Sequence, residues 1–354
     1  MMLEHMKSAL IATAICSAGG YVFFLLQTPL PWMLGSLTAA AISAIAGGRW
    51  FIPILARNVA RPIVGVLAGS AFSASVVASI PAWWSAILLV LALTVAITLA
   101  GYVFFRTVGG FDRPTAFFAG APGGLGELTL LGGAMGGDTR VIVIGHSIRI
   151  IVVLFSIPFI LQLILGHPIG RVLPDTPGSV APTVLDWGIL ALCAIAGFGL
   201  ARAIKFSAGV MVFPMLLSAA VHATELTHAV PPPWLVAIVQ VAIGGMVGAR
   251  FPNIDWREMG RTVAISCAWA WAMIAMAAIA AYIGTLALGR SFHAMMLALA
   301  PGGTIEMTIL TYSIGIEVAF VVACQVFRIL MVMVLVPVLF NFTGGSGNAP
   351  ETRE

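Results

Sequence analysis

Ala121-Pro122-Gly123-Gly124-Leu125-Gly126-Glu127-Leu128-Thr129 returns later in the chain as Ala300-Pro301-Gly302-Gly303-Thr304-Ile305-Glu306-Met307-Thr308. A constant shift of 179 residues, Ala121 to Ala300, superposes the two. The same shift carries Asp138 onto Glu317, His146 onto Gln325, Arg149 onto Arg328 and Pro158 onto Pro337, so the stretch from Ala119 to Pro158 occurs twice. Each copy is a helix-breaking Pro-Gly-Gly, a carboxylate and then an arginine inside an apolar run. The fold follows from what such a broken, charged segment needs around it.

The 354 residues are 60% hydrophobic and 8% charged, against about a quarter charged in soluble domains. That composition is an integral membrane protein, and it excludes a soluble enzyme or a DNA-binding domain. Neither Ser8 to Gly48 nor Pro62 to Phe105 contains an Asp, Glu, Lys or Arg. Each run is long enough for two spans of about 20 residues. The net charge of +4 reports loop arginines that set orientation, and no basic cluster with interleaved aromatics marks a nucleic-acid partner. Cys16, Cys193, Cys267 and Cys324 lie far apart in apolar runs and read as packing residues, with no metal-ligand spacing among them. The apolar run after Lys7 continues into a second span without a clear cleavage site, so it reads as a retained first helix.

Six apolar segments are drawn in each half: 8–26, 30–47, 58–79, 81–105, 114–135 and 138–165, then 186–204, 207–225, 232–250, 259–289, 292–314 and 317–342. The first repeat is taken as 1–166, a Pro- and Gly-rich linker as 167–184, the second repeat as 185–342, and a flexible tail as 343–354. Pro31-Trp32-Met33-Leu34 resembles Pro214-Met215-Leu216-Leu217, which requires a shift of 183 there, while Gly65 and Gly69 match Gly244 and Gly248 at 179. Trp50, Trp83, Trp84, Trp187, Trp234 and Trp256 fall near span ends, where amphipathic rings anchor.

Loop charge gives the relation between the halves. The first loop, Gln27–Pro29, is neutral, while its counterpart holds Arg202 and Lys205. The second holds Arg49, Arg57 and Arg61, while Glu225–Pro233 holds no Lys or Arg. The third, Ser79–Pro81, is neutral, while its counterpart holds Arg250, Arg257 and Arg261. Opposite bias at three successive loops predicts halves that sit upside down relative to each other. Inversion needs an odd number of crossings per half, so the Pro-Gly-Gly segment is expected to enter and leave on one side. The expected fold is all-α and membrane-integral, with two inverted-topology repeats of about 10 transmembrane helices in total and two re-entrant broken segments. With the N-terminus cytoplasmic, 13 of the 17 Lys and Arg then fall inside, Arg171 and Arg290 fall outside, and Arg149 and Arg328 lie within the membrane.

Non-helical backbone in a membrane is tolerated only where it is buried in protein or lines a cavity. Gly123, Gly124, Gly302 and Gly303 are therefore expected to offer free backbone groups to a solute, with a helix starting at Gly124 or Leu125 and its positive end at the midplane. Arg149 lies 11 residues beyond Asp138, a depth of roughly 16 Å at about 1.5 Å per residue, where an arginine needs a partner or a wet cavity. Two readings stay open: an internal ion pair, Arg149 with Glu127 and Arg328 with Glu306, or a guanidinium that binds an anionic solute. Thr129 and Thr308 are candidates to add hydroxyls to the binding cavity, or to bond back to their own helices. Glu127 and Glu306 are candidates for the coupling proton or ion, with His146 and Gln325 on the arginines' helical faces. His222, Glu225 and His228 have metal-like spacing but sit at one span end without a counterpart, so no metal and no cofactor is expected.

Two units of about 150 residues, each with the Ala-Pro-Gly-Gly-x-x-Glu-(Leu/Met)-Thr core, resemble the AbrB-type membrane proteins. The resemblance covers Ser8 to about Phe342. That family carries the labels regulator of gene expression and ammonia monooxygenase. Neither follows from the residues, which offer no copper or iron ligand set and no DNA-binding module. The plan of a broken segment in each inverted half is also similar to citrate- and glutamate-type sodium symporters, an architectural likeness that assigns no substrate. The expectation is a non-enzymatic secondary transporter in a bacterial inner membrane, moving a small anionic solute with protons or cations. The alternative is a membrane-embedded sensor or regulator without transport. The partners expected are the lipid bilayer and a small-molecule solute, with no nucleic acid; a homodimer is left open.

Overall fold

The computed structural model describes residues 2–48, 54–166, 169, 183–249 and 256–342. The tail, most of the linker, and Arg49, Trp50, Arg171 and Arg250 lie outside the described residues, as do the side chains of Arg57, Trp256 and Arg257.

Among the described residues all regular structure is helical. The first half runs α1 (Met2–Leu25), α2 (Pro31–Ile45), α3 (Ile54–Gly69), α4 (Ala74–Ser79), a 3₁₀ turn (Ile80–Trp83), α5 (Trp84–Thr107), α6 (Arg113–Gly120), α7 (Leu125–Ala134) and α8 (Thr139–Leu165). The second runs α9 (Val184–Ile204), α10 (Gly209–Ala223), α11 (Pro233–Gly248), α12 (Trp256–Leu288), α13 (Phe292–Leu299), α14 (Thr304–Ile314) and α15 (Val318–Phe342). Apart from α4 and its turn, the two orders match helix for helix. The segment expected at 58–79 breaks after Gly69, and α4 joins α5 instead.

Local sequence sets the helix starts. Thr183 and Asp186 open α9 with a reciprocal cap: the Thr183 hydroxyl accepts the Asp186 N–H at 3.3 Å, and the Asp186 carboxylate accepts the Thr183 N–H at 2.9 Å. Asp138 caps α8 by accepting the Arg140 N–H at 2.8 Å. Among the described residues six helical stretches are long and apolar enough to cross a membrane: Ser8–Leu25, Ala74–Thr107, Thr139–Leu165, Val184–Ile204, Met259–Leu288 and Val318–Phe342. Helices α2 and α10 have 15 residues each, and α3 and α11 have 16. At about 1.5 Å per residue they fall several ångströms short of a hydrocarbon core about 30 Å thick.

The helices pack by their position within a half, not by half. One group holds α1, α2 and α3 with α9, α10 and α11; α2 lies on α11, and α10 lies on α3. The other holds α5 to α8 with α12 to α15; α5 packs on α15, and α12 on α8. The two groups meet where α3 touches α14 and α15, and where α4 touches α10. Large apolar side chains such as Leu163, Leu192, Ile195, Ile279 and Leu286 remain exposed, as a hydrocarbon surround requires.

Glycines set the close crossings and fix the register between the halves. A Cβ on Gly65 would run into the Met211 carbonyl, and one on Gly244 into the Met33 carbonyl. Likewise Gly69 abuts Met215 and Ser218, while Gly248 abuts Leu37 and Ala40. Gly65 to Gly244 is the expected 179. Met33 to Met211, Leu37 to Met215 and Ala40 to Ser218 are all 178, which replaces the 183 expected from the Pro-x-x-Leu likeness. Gln27 and Lys205, also 178 apart, both adopt the left-handed conformation with φ of 56°. The likeness misleads because Pro31 starts α2 whereas Pro214 lies inside α10. Trp83 also departs from expectation. It is buried edge-on against Phe320 at 5.6 Å and is not a surface anchor, while Trp84 and Trp234 are exposed.

Candidate functional site

The bends are built by proline. A residue before proline is pushed out of the helical region. Accordingly Ala121 has φ −71° and ψ 142°, and Ala300 has φ −56° and ψ 129°. The chain re-enters a helix at Leu125 and at Thr304, with Gly124 and Gly303 as N-caps that carry no side-chain cap. Each bend therefore leaves the last carbonyls of one short helix and the first amides of the next without intrahelical partners.

The arginines take the carbonyls. Arg149 donates from Nη1 to the Ala121 oxygen at 3.1 Å and from Nη2 to the Gly123 oxygen at 2.6 Å. Arg328 donates from Nη1 to the Ala300 oxygen and from Nη2 to the Gly302 oxygen at 2.8 Å. The Gln325 Oε1 accepts a further bond from Arg328 at 2.6 Å, and the Gln325 amide donates to Leu297 at 2.5 Å. Among the described residues no ion pair joins Arg149 to Glu127 or Arg328 to Glu306. The planar guanidinium instead spans two carbonyl oxygens of the bend, one of which, that of Ala121, also accepts the Gly123 N–H at 3.0 Å.

The carboxylates take the other side of each bend. Glu127 and Glu306 lie in the first turns of α7 and α14, where a negative charge is favoured. Each folds back over its N-cap glycine: a Cβ on Gly124 would collide with the Glu127 Oε2, and one on Gly303 with the Glu306 Oε2. Glu306 is buried and Glu127 half-buried.

Both bends open on one cavity of about 670 Å³ between the two helix groups. Gly123, Gly124, Glu127 and Arg149 line it from the first bend, and Gly302, Gly303, Thr304, Glu306 and Arg328 from the second. Arg61 of α3, with Ser207, Ala208, Met211 and Val212 at the start of α10, forms the facing wall. Arg61, read from sequence as a loop charge, is the charged lining residue that the sequence did not mark as part of the site. The available signal was its counterpart at the shift of 179, Gln240, a polar residue in an apolar helix.

Four expected residues do not line this cavity. The Thr129 and Thr308 hydroxyls are buried without a hydrogen-bond partner, and they bond neither to the cavity nor back to their own helices. His146 is fully buried against the Phe118 backbone and away from the cavity. Gln325 holds Arg328 and does not line the cavity. His222 lies elsewhere, buried, with Nδ1 2.7 Å from the Ser218 oxygen and Nε2 3.0 Å from the Ala229 oxygen. Among the described residues no group of three or more His, Cys, Asp or Glu is arranged to hold a metal ion.

The family described as "Transition state regulatory protein AbrB" matches residues 32–344. YhjN of Bacillus subtilis (strain 168), whose name calls it uncharacterized, is 26% identical over 96% of this chain and 94% of its own. AbrB of Escherichia coli (strain K12), a candidate regulator by its name, is 21% identical over 90% of this chain and 92% of its own.

Proposed function

This chain belongs to the AbrB family, and we propose that it is a secondary transporter moving a small anionic solute across the bacterial inner membrane with protons or cations. The observation that carries the proposal is the shared cavity. Two helix starts, Gly124 and Gly303, bring first-turn amides without intrahelical partners to one space, together with two carboxylates and the Arg61 guanidinium. Helix N-termini attract anions, and paired breaks at matching positions of two halves are a feature of transporter binding sites.

In this reading the halves are inverted. Six long helical stretches and the shorter α2, α3, α10 and α11 make ten crossings, while α6–α7 and α13–α14 each enter and leave on one face. Amides of the bends and Arg61 hold the solute. Arg149 and Arg328 keep the bends open by occupying their carbonyls, which turns the amides toward the cavity. Glu127 and Glu306 carry the coupling proton or cation. The helix group bearing the bends moves against the group bearing α3 and α10.

Uptake into liposomes containing the purified protein tests this. Accumulation of an anionic solute is expected to need an imposed proton or cation gradient, and Glu306→Gln or Glu127→Gln is expected to uncouple it. Gradient-driven uptake that survives both substitutions would take these carboxylates out of the mechanism. The regulatory name of the Escherichia coli relative favours a second reading, a sensor that uses the same cavity and moves nothing. A solute that raises the melting temperature yet is never accumulated, together with a stoichiometric soluble partner in a pull-down, would select that reading.

A further inference from the structure

Resting on the transport reading, we propose that the structure is one of two end states related by exchange of the halves, and that Gln240 replaces Arg61 in the cavity of the other. The reciprocal glycine contacts at Gly65 and Gly69 of α3 and at Gly244 and Gly248 of α11 set these two helices in the same register. Arg61 stands four residues before Gly65, and Gln240 four residues before Gly244. Within each helix group the packing is also reciprocal: α5 on α15 answers α12 on α8, and α7 on α8 answers α14 on α15.

The symmetry breaks at the seam between the groups. Helices α14 and α15 pack on α3, while α7 and α8 make no comparable contact with α11. Leu130 of α7 is 78% exposed and lines the cavity, whereas its counterpart Ile309 of α14 is 0% exposed. Gly124 is exposed where its counterpart Gly303 is half-buried, and Glu127 is half-buried where Glu306 is 9% exposed, so the second bend meets the shared cavity less openly than the first. A repeat that packs reciprocally inside each group and one-sidedly between them has a second arrangement of the same contacts. There α7 and α8 dock on α11, and α14 swings open.

Gln240 supplies an independent mark of that state. Its side chain is 3% exposed in an apolar helix, and its Oε1 has no hydrogen-bond partner. A buried polar atom without a partner is costly, and facing an open cavity relieves that cost. The exchange then carries a chemical consequence. The cavity open here bears the Arg61 cation, and the exchanged cavity bears a neutral amide at the same place. An anion is drawn to one face and released at the other.

The test uses the full chain in liposomes with its four cysteines replaced by serine, and the exchange pair Leu130→Cys and Ile309→Cys introduced singly. Thiol reagents bearing a sulfonate or a quaternary ammonium are added from one face at a time. L130C is expected to react from the face on which Arg61 opens, favouring the sulfonate by about tenfold, and Arg61→Gln is expected to abolish the preference. I309C is expected to react from the opposite face without that preference, and to gain it when Gln240→Arg is added. Reaction of I309C from the same face as L130C, or from neither, overturns the exchange. A sulfonate preference that survives Arg61→Gln overturns the charge assignment. Hydrogen exchange on the unsubstituted protein guards against variants that do not fold. Amides of Gly302–Glu306 are expected to exchange through an opening, more slowly than those of Gly123–Glu127; protection equal to mid-α15 throughout would sink the proposal. Opposite-face labelling without uptake of any solute leaves the exchange standing and removes transport. Uptake with I309C unlabelled does the reverse.

Discussion

Arg149 and Arg328 show how a charge deep in a membrane protein is made tolerable by backbone. Each closes a bend by bonding the carbonyl before its proline and the carbonyl of the first glycine after it. Hydrogen bonds to a charged group contribute about 1.5–3 kcal/mol each. Arg149→Ala and Arg328→Ala are therefore expected to lower the melting temperature in detergent by several degrees, whereas Ala at the exposed Arg140 leaves it unchanged. Arg328→Lys is expected to recover only part, because an ammonium cannot reproduce the two-pronged contact. Equal melting of all three alanine variants would remove the clasp. Gly303→Ala tests the other side of the bend, since the added methyl must displace the Glu306 carboxylate. Loss of gradient coupling with little loss of stability is the expected result, read by comparing uptake with melting. The need for a partner at both arginines was legible in the chain, from an arginine about eleven residues into an apolar run. The partner was not, because backbone carbonyls freed by a bend have no letter of their own.

Helices α6, α7, α13 and α14 were legible as broken pairs because Pro-Gly-Gly cannot continue a helix. Which helices pack together was not legible. A repeat in sequence marks corresponding segments, and the contacts place α2 on α11 and α3 on α10, across the halves. Small residues govern those crossings, since they let two backbones come close. Gly65→Val and Gly244→Val each force a side chain into a facing carbonyl. Overpacking of this kind costs typically 1–3 kcal/mol, so both variants are expected to melt earlier and to yield less folded protein, by about the same amount. Gly199→Val in α9, where an added Cβ meets nothing, is the matched control and is expected to be neutral. A large loss at Gly65 with none at Gly244 would argue against the reciprocity of the two crossings.

Exchange of contacts between the halves is shared by two arrangements: a two-fold axis along the membrane normal, with parallel halves, and one in the membrane plane, with inverted halves. Loop charge favours the second. Gln27 and Lys205 end α1 and α9 at matching places, with the same backbone conformation, yet one loop is neutral and the other carries Arg202 and Lys205. Positive residues are retained on the cytoplasmic face, so equivalent loops with unlike charge are expected on opposite faces. The count of crossings bears on the same choice. If α6–α7 crossed the bilayer, each half would cross six times and the halves would run parallel. Its helices hold only 8 and 10 residues, interrupted at the cavity. A pair of that form can turn back at the cavity, which gives five crossings and inversion. Single cysteines at Gln27 and Lys205, both exposed at loop positions where change is tolerated, decide the matter. An impermeant maleimide applied to sealed cells is expected to label Gln27→Cys and spare Lys205→Cys until the membrane is opened. Labelling of both from one face would make the halves parallel. The two helix starts would then present the cavity to the same side, and exchange of the halves could no longer carry a solute across.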